Sequence, residues 1–557
     1  MRKLDIRLAT IGAVMTAMLA CPLACPSIFA QTQDFKTGKT LEIQHNILRE
    51  LSAKFVDTLN MEQLLTTGIN AMLGSLDPYT EYIPEEDDET IEMMTTATYG
   101  GIGSIIKKID TLGVLISQPY KGSPAVKFGL EPGDVILKID GEDVKPLSAD
   151  LCSSKMKGQP GTEVVFLVKK GRTGQIKEYK IIRERIHIPD VSYSGIIDKK
   201  YDKSQHRTGY IKLEAFTSNG SKDVKEAVIS LKEQGADRIV LDLRGNGGGL
   251  MDQAIAIVSL FVPKGTVAVS QKGRTEAENV VYKTMSEPID TTIPLIVMVN
   301  SSSASSSEIV AGALQDLDRA VVIGTRTFGK GLVQAMRPVG YNGTLKMTIA
   351  KYYTPSGRCV QAIDYSHRNS DGSVGYVPDS LKKAFQTKGG RTVYDGGGIT
   401  PDTTIKAPSY SRPALSLVVN DIVNDYAIKY YKTRNSIAPA GEFTLTDAEY
   451  EEFVKYAATR KFDSRSAAEA QLEQIIKAAK AEDLYEINKE EFEALEKKLS
   501  VSKEEILRIK KDEIKPILEE EIVNKFHFTA GRVESIIRND IQLQQALECN
   551  YSISLPK

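Results

Sequence analysis

The spacing of apolar residues changes several times along the chain, and each change predicts a different kind of structure. Residues 41–75 carry apolar side chains at helical spacing and predict helices. From about residue 95 to 186 the pattern shifts to short apolar runs separated by Gly and Pro, which predicts a compact β-rich module. From about 190 to 360, runs of strand length alternate with helical ones, which is typical of an α/β core.

Two further stretches differ from this core. Residues 365–398 are rich in Gly, Ser and Lys and predict an irregular insertion. From about 413 to 546 the chain is dominated by helix-forming residues with charged faces, for example over 469–481 and 503–523. The pattern therefore predicts a multidomain α/β protein in which a β-rich module precedes the α/β core and a separate helical domain follows it.

The N-terminus has the three parts of an export signal in order. These are a positively charged start (Arg2, Lys3, Arg7), a mostly apolar stretch (8–20) and a small residue at a cleavage point (Ala30 before Gln31). Two alternatives stay open. Residues 8–25 reach the minimum length for crossing a bilayer, so the segment could be a permanent anchor. Cys21 or Cys25 could instead carry a lipid.

Length, charge and residue composition argue against several classes of function and of site. The 557 residues call for two to four domains, and a net charge of −2 spread over both signs argues against a nucleic-acid partner. Cleavage after Ala30 would leave Cys152, Cys359 and Cys549, which is too sparse a set for a disulfide scaffold. The five histidines are widely separated and form no metal-binding motif, so we expect neither a metal nor a cofactor.

A run of serines lies between an apolar strand (294–299) and an apolar helix (306–317). A serine at a strand-to-helix turn can present its hydroxyl at the edge of a sheet. The first N–H groups and the positive dipole end of the helix would then stabilise a developing oxyanion. The same serines could instead serve only as helix caps and linker residues.

A lysine between two glycines follows the next strand. Desolvation of Lys330 would lower its pKa and make it a general base near neutral pH. No histidine lies near either segment in the sequence, so a Ser-Lys dyad is more economical than a Ser-His-Asp triad. The stretch 324–330 also fits the start of a phosphate-binding loop. However, Gly331 lacks the required hydroxyl, and residues 332–336 predict a strand where that loop needs a helix.

A third segment, 242–250, is rich in glycine and joins a strand to a helix. Its glycines permit unusual φ angles and close backbone approach, which suits a loop that forms an oxyanion hole. Its spacing does not fit the dinucleotide-binding fingerprint. We expect Asp242 and Arg244 to brace this loop.

Taken together, these segments resemble the C-terminal processing peptidases, also called tail-specific proteases, over about residues 98–402. The stretches 303–308 (SASSSE) and 327–331 (TFGKG) are similar to the family's hallmark, with Ser306 where alanine is usual. The resemblance implies a serine peptidase of the Ser-Lys type with a PDZ domain.

The resemblance also assigns roles to individual residues. It implies that Ser305 is the nucleophile, that Lys330 is the general base and that Gln334 orients the lysine. The backbone N–H groups of Gly248 and Ser306 would form the oxyanion hole.

The β-rich module contributes a second implied site. The loop Tyr99-Gly100-Gly101-Ile102-Gly103 resembles a PDZ carboxylate-binding loop, whose N–H groups hold the terminal carboxylate of a peptide while a neighbouring strand pairs with its backbone. The implied division is a signal peptide (1–30), an N-terminal helical region (31–94), a PDZ-like domain (95–186), an α/β peptidase core (187–410) and a C-terminal helical domain (411–557).

The resemblance implies an exported, periplasmic serine endopeptidase that cleaves proteins near their C-termini. The PDZ-like domain would bind substrate C-termini or gate the site. The expected partners are proteins or peptides with accessible C-termini, an adaptor or activator, and a second copy of the chain. The alternative is a latent enzyme, or a non-catalytic PDZ scaffold that binds protein termini without cutting them.

Overall fold

The computed structural model describes residues 27–85, 88–109 and 111–548. Most of the predicted signal peptide and Cys549 lie outside these residues. The chain divides into two compact units, residues 1–82 and 83–557. The first unit contains the predicted helices, α1 (Ser27–Lys54) and α2 (Met61–Gly74), and strand β1 (Glu81–Ile83) lies at the boundary. Within the described ranges, the search for a helix of sufficient length and hydropathy to span a membrane finds none.

The β-rich module forms one six-stranded sheet with the strand order β3-β4-β5-β7-β8, in which β6 pairs with β5. Side chains alternate between the two faces of a strand, and the buried Val164, Phe166 and Val168 accordingly occupy every second position of β7. The elements of the module are α3 (Asp88–Thr96), β2 (Thr98–Gly101), β3 (Ser104–Ile109), β4 (Gly113–Pro119), α4 (Pro124–Lys127), β5 (Val135–Ile139), β6 (Glu142–Asp143), α5 (Ala149–Met156), β7 (Glu163–Lys169), β8 (Ile176–Ile182) and β9 (Glu184–His187).

The α/β core is built on a second six-stranded sheet, ordered β10-β11-β12-β15-β16-β23. Strand β10 is antiparallel to β11, and the remaining pairs are parallel. All five residues of β15 are buried, as expected for a parallel strand covered on both faces. The elements are β10 (Val191–Ile196), β11 (Thr208–Leu213), α6 (Gly220–Glu233), β12 (Arg238–Asp242), α7 (Met251–Ser259), β13 (Val267–Gly273), β14 (Val280–Lys283), β15 (Leu295–Val299), α8 (Ser306–Asp316), β16 (Val321–Gly324) and β23 (Thr403–Thr404).

A further sheet and two hairpins complete the core. Strand β18 (Gly343–Tyr353) pairs with both β13 and β17 (Leu332–Gly340). Because β17 follows Lys330 directly, the helix that a phosphate-binding loop requires is absent from this part of the described chain. The predicted irregular insertion contains two hairpins, β19 (Ile363–Arg368) with β20 (Val374–Tyr376) and β21 (Ala384–Gln386) with β22 (Thr392–Tyr394).

The C-terminal region is helical as predicted, but two details differ. The predicted helix over 503–523 is broken at Lys510, and α15 bends at Phe528, whose φ is 60°. The helices are α9 (Arg412–Val419), α10 (Ile422–Lys432), α11 (Asp447–Ala458), α12 (Ala467–Ala481), α13 (Lys489–Leu499), α14 (Lys503–Ile509), α15 (Lys511–Asn539) and α16 (Ile541–Glu548).

The end of the helical region packs against the α/β core. Leu241 and Val297 point to the face of the sheet that α6, α7 and α8 cover. Their neighbours Val240 and Ile296 point to the opposite face and pack with residues of α15 and α16, including Val533, Ile537, Leu543 and Leu547. The helical domain predicted from the sequence thus also covers the second apolar face of the core sheet, a packing that the sequence pattern did not predict.

The β-rich module also contacts the helical region, through helix α10. Lys107 Nζ lies 2.9 Å from Asp425 Oδ1 and 3.2 Å from Asp421 Oδ2. Arg172 stacks over the Tyr431 ring at 4.3 Å and donates a hydrogen bond of 2.7 Å to the carbonyl oxygen of residue 434. These contacts are mostly polar and partly exposed, which is typical of an interface between domains that move.

Candidate active site

Three loops meet at the carboxyl ends of parallel strands β12, β15 and β16, the edge at which open α/β sheets place their sites. These are the segments that the sequence singled out, 243–250, 300–305 and 325–331. The Phe328 N–H donates to the Ser303 carbonyl oxygen at 3.0 Å, and the Ala304 N–H donates to the Asn246 carbonyl oxygen at 3.1 Å. The central serine loop is therefore tied to both of its neighbours.

Ser305 occupies the N-cap of α8 with φ 56° and ψ −116°. This is a rare conformation for a residue other than glycine, and such strain persists only where surrounding contacts impose it. Here the Ser305 N–H donates to Glu308 Oε2 at 2.9 Å, one half of a capping box. The geometry resembles a strand-to-helix nucleophile elbow, which presents the serine at the edge of the sheet.

Glu308 is fully buried and joins the serine loop to the lysine loop. Its Oε1 accepts hydrogen bonds from Thr327 Oγ1 at 2.6 Å and from the Gly329 N–H at 2.7 Å. Its Oε2 accepts from the Lys330 N–H at 2.8 Å as well as from Ser305. Burial raises the pKa of Glu308 to about 7, although the four hydrogen bonds favour the charged form.

Tyr352 forms a second link between the two loops. Its hydroxyl lies 3.1 Å from the Ser305 carbonyl oxygen and 2.7 Å from the Lys330 carbonyl oxygen. Ser305 and Lys330 therefore share one partner at their amides, Glu308, and another at their carbonyls, Tyr352. Lys330 itself is half-buried. Gln334 lies on β17, where its Nε2 donates to Thr348 Oγ1 at 3.2 Å across the strand pair.

Gly248 lies directly against the serine. Its φ is 104°, and a Cβ at this position would lie 2.7 Å from Ser305 Cβ and 3.0 Å from the Ser306 nitrogen. Only glycine combines this φ with so close an approach. The Gly248 N–H donates to Asn246 Oδ1 at 2.8 Å, so the structure shows it engaged within the loop. The fully buried Asn246 also donates from Nδ2 to the Leu213 carbonyl oxygen at 3.0 Å.

Arg244 anchors the start of this glycine loop. Its Nε contacts both Asp242 oxygens at 3.0 Å, and its Nη2 reaches Asp242 Oδ2 at 2.5 Å and also Asp540. Its Nη1 donates to Asp540 Oδ1 at 3.2 Å and to Gln542 Oε1 at 3.1 Å. All five N–H donors of the guanidinium thus have acceptors. Bracing by Asp242 and Arg244 agrees with expectation, whereas the partners from the helical region could not be predicted.

A groove of about 220 Å³ lies on the β-rich module beside part of the predicted carboxylate-binding loop. Tyr99, Ile102 and Gly103 line it, whereas Gly100 and Gly101 are not among its lining residues. Strand β3 forms one wall and lies at the edge of the sheet in the described part of the chain, so it is open to pairing with an extended peptide. Lys157, which the sequence did not single out, also lines the groove, with Nζ 5.7 Å from the centre of the Tyr99 ring.

Sequence reasoning missed four residues that shape these sites. Glu308 had a readable signal, because a serine followed three positions later by a glutamate is the pattern of a capping box. Tyr352 begins a segment that resembles the family and Asn246 lies in the glycine-rich segment, but their individual contacts, like those of Lys157, depend on neighbours that are distant in the sequence.

Comparisons with known proteins agree with this geometry. The model of peptidase family S41 matches residues 207–366, a PDZ domain model matches 115–170, and the model described as "Probable PDZ-protease, C-terminal helical domain" matches 414–549. A carboxy-terminal-processing protease of Bartonella bacilliformis is 35% identical over 331 residues, which are 59% of this chain and 74% of that protein. The chain belongs to peptidase family S41.

A second relative supports the assignment by its sequence. A probable CtpA-like serine protease of Staphylococcus aureus is 32% identical over 378 residues, and the match spans 67% of this chain and 66% of that protein. The solved structure of the photosystem II D1 C-terminal processing protease is 26% identical, covers 64% of this chain and 86% of its own, and has a TM-score of 0.35. The predicted family and the predicted fold class, a PDZ domain before an α/β serine-peptidase core with a C-terminal helical domain, are confirmed.

Proposed function

We propose that this S41 peptidase is an endopeptidase that cleaves exported proteins near their C-termini through a Ser305–Lys330 dyad. One observation carries the proposal, namely that the two residues of the dyad share two partners. Glu308 accepts hydrogen bonds from the amide N–H groups of Ser305 and Lys330, and the Tyr352 hydroxyl contacts the carbonyl oxygens of both. Such a shared scaffold fixes two groups relative to each other, which is the requirement for a nucleophile and its base.

In the proposed reaction, neutral Lys330 takes the proton of Ser305 Oγ as that oxygen attacks the scissile carbonyl carbon. The tetrahedral oxyanion forms beside the N-terminus of α8, where the Ser306 N–H and the helix dipole stabilise it. The ammonium of Lys330 then gives its proton to the leaving amine, and an acyl-enzyme remains. Water, deprotonated by the same lysine, releases the acid product and restores Ser305.

Two assignments belong to this proposal. Gln334 would orient Lys330, a role supported by its position on β17 four residues after the lysine. The Gly248 N–H would be the second oxyanion donor, supported by the close approach of Gly248 to Ser305.

The PDZ groove would receive the C-terminus of a substrate. Tyr99, Ile102 and Gly103 line the groove with Lys157, whose charge is opposite to that of a terminal carboxylate. The neighbouring Gly100 and Gly101 would keep the carboxylate-binding loop close to the sheet. We also propose the five-part division given above, in which residues 1–30 direct export to the periplasm or attach the protein to the membrane.

A second candidate is a latent form of the same enzyme. It is supported by the hydrogen bond from the Gly248 N–H to Asn246, because an N–H that is bound within its own loop cannot also bind an oxyanion. In this form an adaptor, a second copy or a PDZ ligand would rearrange the glycine loop before catalysis.

The dyad is tested by cleavage of an unstructured protein with the chain from Gln31 onward. Ser305→Ala and Lys330→Ala should abolish cleavage and keep the fold, whereas Ser302→Ala, an exposed serine of the same run, should cut like the unmutated protein. Full activity in a folded Ser305→Ala or Lys330→Ala variant would refute the assignment.

Latency is tested by adding a non-cleavable peptide with a free C-terminal carboxylate to a carboxamide-blocked substrate. If PDZ occupancy opens the site, the peptide stimulates cleavage in trans. If the PDZ domain only delivers substrates, the peptide has no stimulating effect.

A further inference from the structure

A cleft of about 500 Å³ lies beside the lysine loop and is distinct from the PDZ groove. One wall comes from Thr327 and Phe328 of that loop. The opposite wall comes from the hairpin insertion and includes Tyr376 and Lys382. Phe328 and Tyr376 are 42% and 75% exposed, so both aromatic rings are available to a ligand.

Two cationic side chains converge in this cleft. A Cβ built on Gly397 would lie 3.2 Å from Arg326 Nη1 and 3.4 Å from Lys382 Nζ, so both nitrogens lie close to one point. Arg326 has no hydrogen-bond or ion-pair partner among the residues that the structure describes. Asp379 is the one carboxylate among the lining residues, and it is already bound to Lys382 at 2.5 Å with a side chain that is 94% exposed.

The charges in the cleft therefore do not balance. One carboxylate at the rim faces two cations, and the guanidinium carries donors in a fork that matches the geometry of a carboxylate. Aromatic rings beside an unpaired guanidinium make a site for a group that is anionic at one end and apolar along its stem.

We infer that this cleft is a substrate subsite that binds a carboxylate of the peptide segment next to the scissile bond, with Arg326 and Lys382 as its ligands. The inference rests on the proposed function. The cleft shares Thr327 and Phe328 with the loop that continues to Lys330, and an extended peptide advances about 3.3 Å per residue. A carboxylate a few residues from the cut therefore reaches the cleft. Its source is either an Asp or Glu side chain or the terminal carboxylate of the substrate.

The test uses an N-terminally labelled pool of randomised dodecapeptides, with the cut sites read by mass spectrometry. The unmutated protein should favour Asp and Glu about 10-fold at one fixed position relative to the cut, since a hydrogen bond to a charged group is stronger than one between neutral groups. Arg326→Gln and Lys382→Gln should remove this preference. Lys383→Gln, at an exposed neighbour that does not line the cleft, should keep it.

The same pool made with C-terminal carboxamides separates the two sources. A side-chain carboxylate gives the same acidic preference in both pools. A terminal carboxylate gives several-fold slower cutting of the carboxamide pool, and Arg326→Gln abolishes that difference. If the carboxamide pool is still cut more slowly than the free-acid pool in Arg326→Gln, the terminal carboxylate binds in the PDZ groove and not in the cleft. That result, together with no preference for Asp or Glu in either pool, overturns the subsite.

Failure of the subsite can be told apart from failure of the dyad. If the unmutated protein cuts the pools without an acidic or terminal preference, the dyad stands and the subsite is wrong. If neither pool is cut, capture of the pools on immobilised Ser305→Ala protein tests the subsite alone. Enrichment of acidic peptides that is lost in the Ser305→Ala, Arg326→Gln double variant supports it, and identical captured pools overturn it.

Discussion

The Glu308→Gln substitution tests whether one buried carboxylate holds the two halves of the dyad together. Glutamine keeps the shape of the side chain but replaces one acceptor oxygen with a donor NH₂ group. Two donors converge on each oxygen of Glu308. If the NH₂ faces Thr327, that hydroxyl can rotate and accept, and only the Gly329 N–H loses its acceptor. If it faces the other way, the N–H groups of Ser305 and Lys330 both lose theirs.

The expected losses of stability and activity follow from the number of N–H donors that are left without an acceptor. Each buried donor without an acceptor costs about 1–3 kcal/mol, so the free energy of unfolding at pH 4.5, where folded Glu308 is neutral like glutamine, should fall by at least about 1 kcal/mol. A displacement of reacting groups by about 1 Å costs roughly 100-fold in rate, and we expect a loss of that order in kcat/KM. Glu469→Gln is the matched control, because Glu469 forms the same Ser-x-x-Glu capping box with Ser466 at the start of the distant helix α12.

The pH dependence gives a second readout. The pKa of Glu308 is raised to about 7 in the folded protein, above its ordinary value of 4.5. The folded state therefore binds the proton more tightly, and the contribution of Glu308 to stability, present below about pH 4.5, is lost as the pH rises through 7. Relative to Glu308→Gln, the unmutated protein should lose about 3 kcal/mol over this interval in urea unfolding.

Activity should follow the opposite trend. Only the ionised carboxylate accepts all four hydrogen bonds, so protonation of Glu308 should lower kcat/KM below about pH 7 in addition to the decline that protonation of the base Lys330 causes in both proteins, and Glu308→Gln should lack this additional decline. Equal kcat/KM values and equal acid limbs in the two proteins, with Glu469→Gln unchanged, would refute the reasoning.

Three further predictions concern the surroundings of the site. Asp540→Asn should lower kcat several-fold at unchanged KM and reduce the melting temperature. The reason is that Arg244 loses part of a charged contact that contributes about 1.5–3 kcal/mol. An unchanged kcat in steady-state kinetics would contradict this prediction. Gly248→Ala should inactivate the folded enzyme, because its Cβ would lie 2.7 Å from Ser305 Cβ, and a casein-type cleavage assay measures the loss. Arg172→Ala should loosen the PDZ module from α10, seen as faster amide exchange in α10, and unchanged exchange would argue that the ion pairs of Lys107 suffice.

The amino-acid pattern predicts the sheet well because the strands carry local signals. Strand β15, with five consecutive buried apolar residues, begins within one residue of its predicted start. The break at Lys510 is different, since residues 503–523 are all compatible with helix and only the packing of α14 and α15 decides where the helix stops.

The residues of the site also fall into two groups, those with a local sequence signal and those whose contacts only the fold creates. The segments that carry Ser305, Lys330 and Gly248 have distinctive local sequences, and the fold brings these segments together. The contacts of Tyr352 with both loops, and of Asp540 with Arg244, join residues far apart in the chain. No periodicity or spacing encodes such pairs, so only the folded structure reveals them.

The packing of α15 and α16 against the second face of the peptidase sheet has a consequence for biosynthesis. A ribosome makes the sheet strands first and the segment around Val533 to Leu547 much later. Until that segment emerges, the apolar side chains of β12 and β15 on this face have no cover, and Arg244 has no Asp540 to bind. In a chain whose C-terminal segment is delivered last, Ser305 and Lys330 are therefore present before the contact that fixes the glycine loop, and we expect peptidase activity only after residues 533–547 have packed onto the sheet.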